Sequence, residues 1–330
     1  MRVLVTGGSS LLARGAVERL LTRGDDVVLL QRHRAVLDVE QVLGDVRDET
    51  VVARALEGCD AAIHCAAKVG VVGTWSEYRD VNVVGTANVL AAARRHSIAG
   101  LVHVSTPSVA HAGSSLVGVG ATPAVTGRRG AYYAESKAAA EQMVLSASDD
   151  TLPIVTIRPH LVWGPGDTQL VGRIIERARA GRLLLVGRGA ALIDSTYIDN
   201  AASALVAALD AAVAGSRAAG RAYVIANGEP RPVAELLAGI CRAAGVDTVS
   251  RRVPRSVALA AGSAVECLWS FRRNAGEPPL TRFLAEQLGT AHWFDPRPAH
   301  DDLGWSPTVS LDEGLVQLAA WFAAHPVGAP

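Results

Sequence analysis

Val3-Leu4-Val5-Thr6-Gly7-Gly8-Ser9-Ser10-Leu11-Leu12-Ala13 is the stretch on which the reading of the chain turns. Three consecutive apolar residues make a short strand suited to being covered on both faces. Gly7-Gly8 ends it with a turn. A helical pattern follows, with Leu12, Ala16, Leu20 and Leu21 on one face and Arg14, Glu18 and Arg19 on the other. Strand, glycine turn and helix in that order make a candidate cradle for a pyrophosphate. The glycines allow close backbone approach, and the helix start offers N–H donors and a positive dipole. The spacing is G-x-x-G-x-x-G in form, with Ser10 and Ala13 in the second and third places. Ala13 is a mild change. The Ser10 side chain has either to avoid a pyrophosphate or to hydrogen-bond to it. Gly7, Ser9, Ser10, Leu11 and Leu12 are therefore the first candidate dinucleotide-binding residues.

The pattern repeats outward from this unit. Strands are expected at Val27–Leu30, before Leu43-Gly44-Asp45, at Ala61–His64, Leu101–Val104 and Ile154–Ile157. Helices are expected at about 48–56 and 78–96 and from Tyr133 onward. Strands alternating with helices imply parallel βαβ units and an α/β, doubly wound parallel sheet. Residues 112–130, rich in glycine, read as a loop. After Arg158-Pro159 the pattern loosens to a helix near 169–180, a strand near 195–198, a helix over 200–212 and a strand at 222–225. Asp199 reads as a helix N-cap. We expect a mainly dinucleotide-binding part over 1–165 and a smaller, mixed substrate-binding region over 166–330, with 190–226 returning to the sheet.

The end of the second strand selects between dinucleotides. An acid there would bond the ribose 2′-hydroxyl of NAD. This chain has Gln31-Arg32-His33-Arg34, and an arginine suits a 2′-phosphate, so NADP(H) is expected over NAD(H). Solvated loop arginines are the other reading. Asp45-Val46 follows the third strand, where an acid can meet the adenine amine. Cys65-Ala66-Ala67-Lys68 follows the fourth, where small residues let backbone lie against the cofactor.

Tyr133-Ala134-Glu135-Ser136-Lys137 carries the chemistry. Residues i and i+4 share a helix face. An ammonium beside a phenol favours phenolate, so Lys137 is expected to pull the Tyr133 pKa from about 10 toward neutrality, where a general acid/base works best.

These pieces, in this order, resemble the extended short-chain dehydrogenase/reductase family, with its Rossmann-type fold. The matching residues are Val3–Gly8, Gly44-Asp45-Val46, His64-Cys65-Ala66-Ala67, Asn82 in Asp80-Val81-Asn82-Val83-Val84-Gly85-Thr86, Ser105-Thr106, Tyr133 with Lys137, Arg158-Pro159 and Tyr197-Ile198-Asp199-Asn200. The C-terminal part is most similar to the 3β-hydroxysteroid dehydrogenase branch. The similarity lies in Trp163-Gly164-Pro165-Gly166-Asp167, in Pro279-Leu280-Thr281-Arg282 leading to Trp293-Phe294-Asp295, and in Leu303-Gly304-Trp305-Ser306-Pro307. The resemblance implies Tyr133 as general acid/base and Lys137 as ligand of the nicotinamide ribose. It places the family's serine on Thr106, holding the substrate oxygen, with Ser105 as fallback. Asn82 would support a water chain to the lysine or bond helix backbone. Pro159 and His160 would lie near the carboxamide, His160 being alternatively a structural histidine.

The resemblance also implies an oxidoreductase that interconverts a secondary alcohol and a ketone on a hydrophobic substrate, steroid-like or 2-alkyl-3-oxoalkanoate-like. A nucleotide-sugar epimerase or dehydratase is the alternative on the same scaffold, and a non-catalytic dinucleotide-binding protein is a second. Homodimers are common on this scaffold, so a homodimer is a family expectation.

Composition narrows the partners. Lysine plus arginine and aspartate plus glutamate both number 32, a formal net charge of zero, which argues against a nucleic-acid partner. Cys59, Cys65, Cys241 and Cys267 form no C-x-x-C pair and no zinc spacing, so no metal is expected. A reducing, cytoplasmic setting is expected, since Met1-Arg2 runs straight into a strand with no signal-peptide pattern. No stretch reaches the ~20 apolar residues of a membrane span. The apolar run from Val257 to Phe271, closed by Arg272-Arg273, reads as a lid over an apolar substrate, as an interfacial helix, or as a core helix of the smaller region.

Overall fold

The computed structural model describes residues 1–70, 72–110, 114–127, 131–248, 251–270 and 281–325. Its centre is a seven-stranded parallel sheet of β1 (Arg2–Thr6), β2 (Asp26–Gln31), β3 (Glu40–Leu43), β4 (Ala61–His64), β5 (Gly100–Val104), β7 (Ile154–Pro159) and β12 (Arg221–Ile225). The order is β12-β7-β5-β4-β1-β2-β3, so the chain winds outward both ways from β1. A smaller mixed sheet contains β13 (Arg231–Pro232), β10 (Leu192–Ile193), β15 (His292–Phe294) and β6 (Leu116–Val119), in that order. Two short parallel pairs join β11 (Thr196–Tyr197) to β8 (Val162–Trp163) and β14 (Arg252–Val253) to β9 (Leu185–Val186). The Rossmann-type expectation holds.

The strands are apolar throughout because both faces are covered. Val3 and Val5 enter one core with α1 (Leu11–Arg23) and α7 (Ile198–Val213). Leu4 enters the other, with α2 (Glu49–Leu56), α4 (Gly85–Arg95) and α5 (Tyr132–Ala147). A short helix α3 (Trp75–Arg79) runs through a π-helical turn, Asp80–Val84, into α4. Each fully buried valine or leucine there is worth about 1.5–3 kcal/mol. A third core joins α6 (Val171–Arg179) and α8 (Val233–Ala243) around Trp163 and Tyr197. A fourth, small core involves α9 (Arg255–Ser270) and α10 (Arg282–Gly289). Helices α11 (Arg297–Leu303) and α12 (Leu311–Ala324) close the chain.

Two expectations are corrected. Residues 112–130 are not all loop: Leu116–Val119 is β6, paired with β15. Its signal is hidden because the pairing partner lies far along the chain, and because Gly118 takes φ +63° where a Cβ would meet the Trp293 ring at 2.8 Å. Asp199 is not the cap of α7. Tyr197 occupies that place, and Asp199 sits in the first turn, where an acid suits the helix dipole.

Candidate active site

The carboxyl ends of β1 to β4 frame a cavity of about 540 Å³. This is the sheet end at which ligands of open α/β folds bind. Of the sequence-derived cofactor residues, Gly7, Ser9, Ser10, Gln31, Arg32, Asp45, Val46, Cys65, Ala66, Ala67 and Lys68 line it. Gly7 has φ +73°, and a Cβ there would lie 2.8 Å from Ala66 Cα and 2.9 Å from Ala66 N. Two backbones thus meet with no room for a side chain. Ser10 is the N-cap of α1, its Oγ accepting from Ala13 N at 3.2 Å. Its hydroxyl is turned onto its own helix, which resolves the conflict seen in the sequence. Gln31, 5% exposed, donates to Gln41 Oε1 at 2.8 Å, while its own Oε1 has no hydrogen-bond partner among the described residues. An orphaned buried acceptor at the end of β2, beside a glycine cradle, fits a dinucleotide.

The remaining cofactor residues lie elsewhere. Leu11 and Leu12 pack against the cores. Arg34 is exposed, outside the cavity lining. Pro159 ends β7, paired with Ile225. His160 is buried edge-on to Phe294, ring centroids 5.0 Å apart. With Pro107, Ser108 and Gln287 it borders a separate small pocket. Lys137 is also outside the cavity lining, although its charge acts on Cys65, which is part of that lining.

Tyr133 and Lys137 both come from the first turns of α5, opposite the end of β5. The Thr106 side chain stands beside the Tyr133 phenol, near enough to favour its ionised form. Thr106 in turn donates to Ser108 Oγ and caps the turn Pro107–Val109. Ser105 Oγ is buried and has no hydrogen-bond partner among the described residues. Thr106 is therefore the hydroxyl that meets the phenol. The expected effect of Lys137 on Tyr133 is overturned. Burial pushes the phenol up to about 12, and only Thr106 works against it. The reason is where the ammonium points. Lys137 Nζ donates to Val104 O at 2.5 Å and stands 3.5 Å from His103 Nε2. Burial brings Lys137 itself down to about 8, against the opposing pull of Glu141 and Cys65.

Asn82 does not reach Lys137. Its Oδ1 accepts from Lys68 N at 2.7 Å, and its Nδ2 donates to Lys68 O at 3.0 Å and to Ser136 Oγ at 2.9 Å. It pins the cavity wall after β4 to α5. Among the described residues no group of three or more His, Cys, Asp or Glu side chains could hold a metal ion.

Residues 4–255 match the model of the 3-beta hydroxysteroid dehydrogenase/isomerase family. The chain belongs to that family. A 2-alkyl-3-oxoalkanoate reductase of Stenotrophomonas maltophilia is 46% identical over 98% of this chain and 100% of its own length. One from Shewanella oneidensis is 40% identical over 96% of this chain and 85% of its own. A UDP-glucuronic acid 4-epimerase from Bacillus cereus, solved with NAD, superposes with a TM-score of 0.75 at 20% identity, covering 98% of this chain and 99% of its own. That last likeness speaks for the fold alone. Membership makes the chain an NAD(P)-dependent oxidoreductase of alcohol and ketone groups, acting on a hydrophobic substrate. No described helix is long and apolar enough to cross a membrane.

Several residues of this family member escaped the sequence reading. Gly15 lets α1 lie close against α7: a Cβ there would come within 2.9 Å of Ala202 Cβ. A glycine inside an amphipathic helix was the available signal. Arg47 lines the cavity and grips Asp45 with two side-chain bonds of 2.9 Å, holding that carboxylate below its usual range. Thr6 Oγ1 accepts from Ala66 N at 3.0 Å and meets His64 Nδ1 at 2.8 Å, locking β1 to the loop after β4. Burial, reinforced by Lys137, holds His64 down at about 3, so it is neutral. Arg158 and Glu141 form a buried ion pair, and Arg158 also donates to Thr122 O at 2.7 Å. No local pattern announces the contacts of Thr6, Arg47 or Arg158.

Proposed function

We propose that this chain is an NADPH-dependent reductase of 2-alkyl-3-oxoalkanoates, taking the 3-ketone to the secondary alcohol. The observation that carries the chemistry is the half-buried Tyr133 phenol beside the Thr106 hydroxyl, with Lys137 one helical turn away. The two reductases similar over nearly the whole chain support the substrate class. When bound, the reduced nicotinamide supplies the hydride. Thr106 holds the ketone oxygen, and Tyr133 passes it the phenolic proton. Lys137, one turn along α5 from Tyr133, binds the ribose. The raised phenol is protonated at neutral pH, the form that reduction requires, and the two reductase relatives support that direction. Asn82 is a positioning residue, through Lys68 and Ser136. Residues 1–165 would serve the dinucleotide and 166–330 the substrate; of the stretch 190–226 expected to return to the sheet, β12 does so, while β10 joins the smaller sheet and β11 pairs with β8.

The preference for NADPH is supported by Arg32 and Arg47 on the cavity wall and by the absence of an acid at Gln31. Steady-state rates with NADPH and NADH, repeated for Arg32→Ala, test it. The variant is expected to lose NADPH efficiency more than NADH efficiency, and a wild type that favours NADH overturns it. For the substrate, loss of NADPH absorbance is followed with a 2-alkyl-3-oxoalkanoate, a 3-ketosteroid and a UDP-sugar. Turnover of the first alone is expected. The family's steroid members make the ketosteroid the second reading. Conversion of the UDP-sugar to its epimer without loss of NADPH absorbance, with NAD retained through purification, would instead bring forward an epimerase.

A further inference from the structure

The apolar run read from the sequence as a lid, an interfacial helix or a core helix forms α9 as far as Ser270. Through Ala258 and Ala261 it lines an apolar pocket of about 210 Å³, which neither Tyr133 nor Thr106 borders. Its closing residues, Phe271 and Arg272-Arg273, lie outside the described residues. Lys137 meets a different feature, a polar row across the central sheet.

Thr6, His64, His103 and Thr156 are partners in register on β1, β4, β5 and β7. Alternation along the strands puts them on one face with Leu4 and Leu101, the face that α4 and α5 cover. All four are exposed by 1% or less. A polar side chain so placed is costly unless a partner takes it up. Thr6 and Thr86 take up both ring nitrogens of His64, at 2.8 and 3.0 Å, so the fold alone satisfies that residue. It does not satisfy His103. The Nδ1 of His103 has no hydrogen-bond partner among the described residues, and its Nε2 stands 3.5 Å from Lys137 Nζ.

The ammonium fixes the state of that ring. Lysine has three N–H donors and no acceptor, so Nε2 accepts and Nδ1 carries the proton. Burial, then Lys137 and His64, hold His103 well below its ordinary pKa, so the ring is neutral and free to accept. The last two residues of β5 thus each take one N–H of the ammonium, Val104 through its carbonyl at 2.5 Å and His103 through its ring. One N–H is left. A buried Nδ1–H without a partner is a cost that packing does not require, and leucine or phenylalanine would fill a sheet core without it.

We infer that His103 is a positioning residue for Lys137: with Val104 O it holds two of the three N–H groups and leaves the third for the ribose of a bound dinucleotide. The inference rests on the reading of Lys137 as ribose ligand.

The test is NADPH affinity, by titration of the full chain without substrate, between pH 7 and pH 10. Lys137 titrates in that range, at about 8, while Tyr133 and Cys65 lie at about 12 and His64 at about 3. Glu141, which also acts on Lys137, is paired with Arg158. His103→Phe removes the acceptor and keeps the bulk. It is expected to weaken NADPH about tenfold at pH 7, the worth of one hydrogen bond. The alkaline loss of affinity is expected to move about one pH unit lower, because the charged lysine has lost a partner. His103→Gln, whose amide oxygen reaches as Nε2 does, is expected to restore both. Equal losses in the two variants, or a pH profile that stays in place, mean a purely structural histidine and overturn the inference. Lys137→Met separates the inference from the reading beneath it. Wild-type NADPH affinity in that variant sinks the ribose reading, whereas loss there beside full affinity in His103→Phe sinks only the role of His103. In the unmutated chain, nitrogen-15 NMR of the histidine rings, assigned by the signal lost in His103→Gln, is expected to place the His103 proton on Nδ1 at pH 7. A proton on Nε2 overturns the inference whether or not the phenylalanine variant folds.

Discussion

Replacing Lys137 by methionine is expected to abolish reduction and yet to stabilise the cofactor-free fold. The side chain is 2% exposed, and burial brings its pKa from 10.5 to about 8. The unfolded chain keeps the ordinary value, so it binds the proton more tightly than the folded chain does. Stability is therefore highest above the unfolded pKa and is lost as pH falls toward the folded one. The shift of about 2.5 units corresponds to about 3 kcal/mol against folding at pH 7. Methionine matches the length without the charge. It forfeits the charged bond to Val104 O, which costs about 2 kcal/mol, leaving a net gain of about 1 kcal/mol at pH 7. The assay is urea unfolding of both proteins at pH 7 and pH 9.5 without dinucleotide. Tyrosines and cysteines titrate in the same alkaline range, but they do so in both proteins and cancel in the difference. The charge penalty on the wild type shrinks by about 2 kcal/mol between the two pH values, so the variant's advantage is expected to reverse by pH 9.5. A variant that is less stable than wild type at pH 7, or a difference that does not move with pH, would refute a costly buried ammonium.

Tyr133→Phe is expected to lower the rate of ketone reduction by at least about 10²-fold while dinucleotide affinity, read by titration, stays the same. Gly7→Ala forces a side chain into φ +73° against Ala66 Cα at 2.8 Å. Its left-handed backbone alone costs about 1–2 kcal/mol, and calorimetry should show dinucleotide binding lost with it. Arg158→Met strands the Glu141 carboxylate in the core, for an expected loss of about 3–5 kcal/mol by denaturant titration. The double variant Arg158→Met/Glu141→Gln should recover most of that loss, since it removes the unpaired charge.

The sequence by itself determined the sheet, because its information there is local. Val3-Leu4-Val5 is apolar at every position, since a doubly covered strand faces two cores. The glycine turn after it, the small residues after β4 and the Tyr133–Lys137 spacing are likewise short-range patterns, and most of the dinucleotide cavity's lining could be named from them. The alternation that located β1 to β5 was absent from Leu116–Val119, whose partner, β15, is a remote segment. Only the tertiary structure decided the rest. Helical spacing said that Lys137 could act on Tyr133, but Val104 O claims the ammonium, and burial drives the phenol upward instead. Ser10 seemed to threaten the pyrophosphate until its hydroxyl was found capping α1. Gly15, Arg47 and the Arg158–Glu141 pair owe their roles to partners distant in sequence or set by side-chain direction. Direction, desolvation and remote contact are properties of the packed molecule, and no window along the chain contains them.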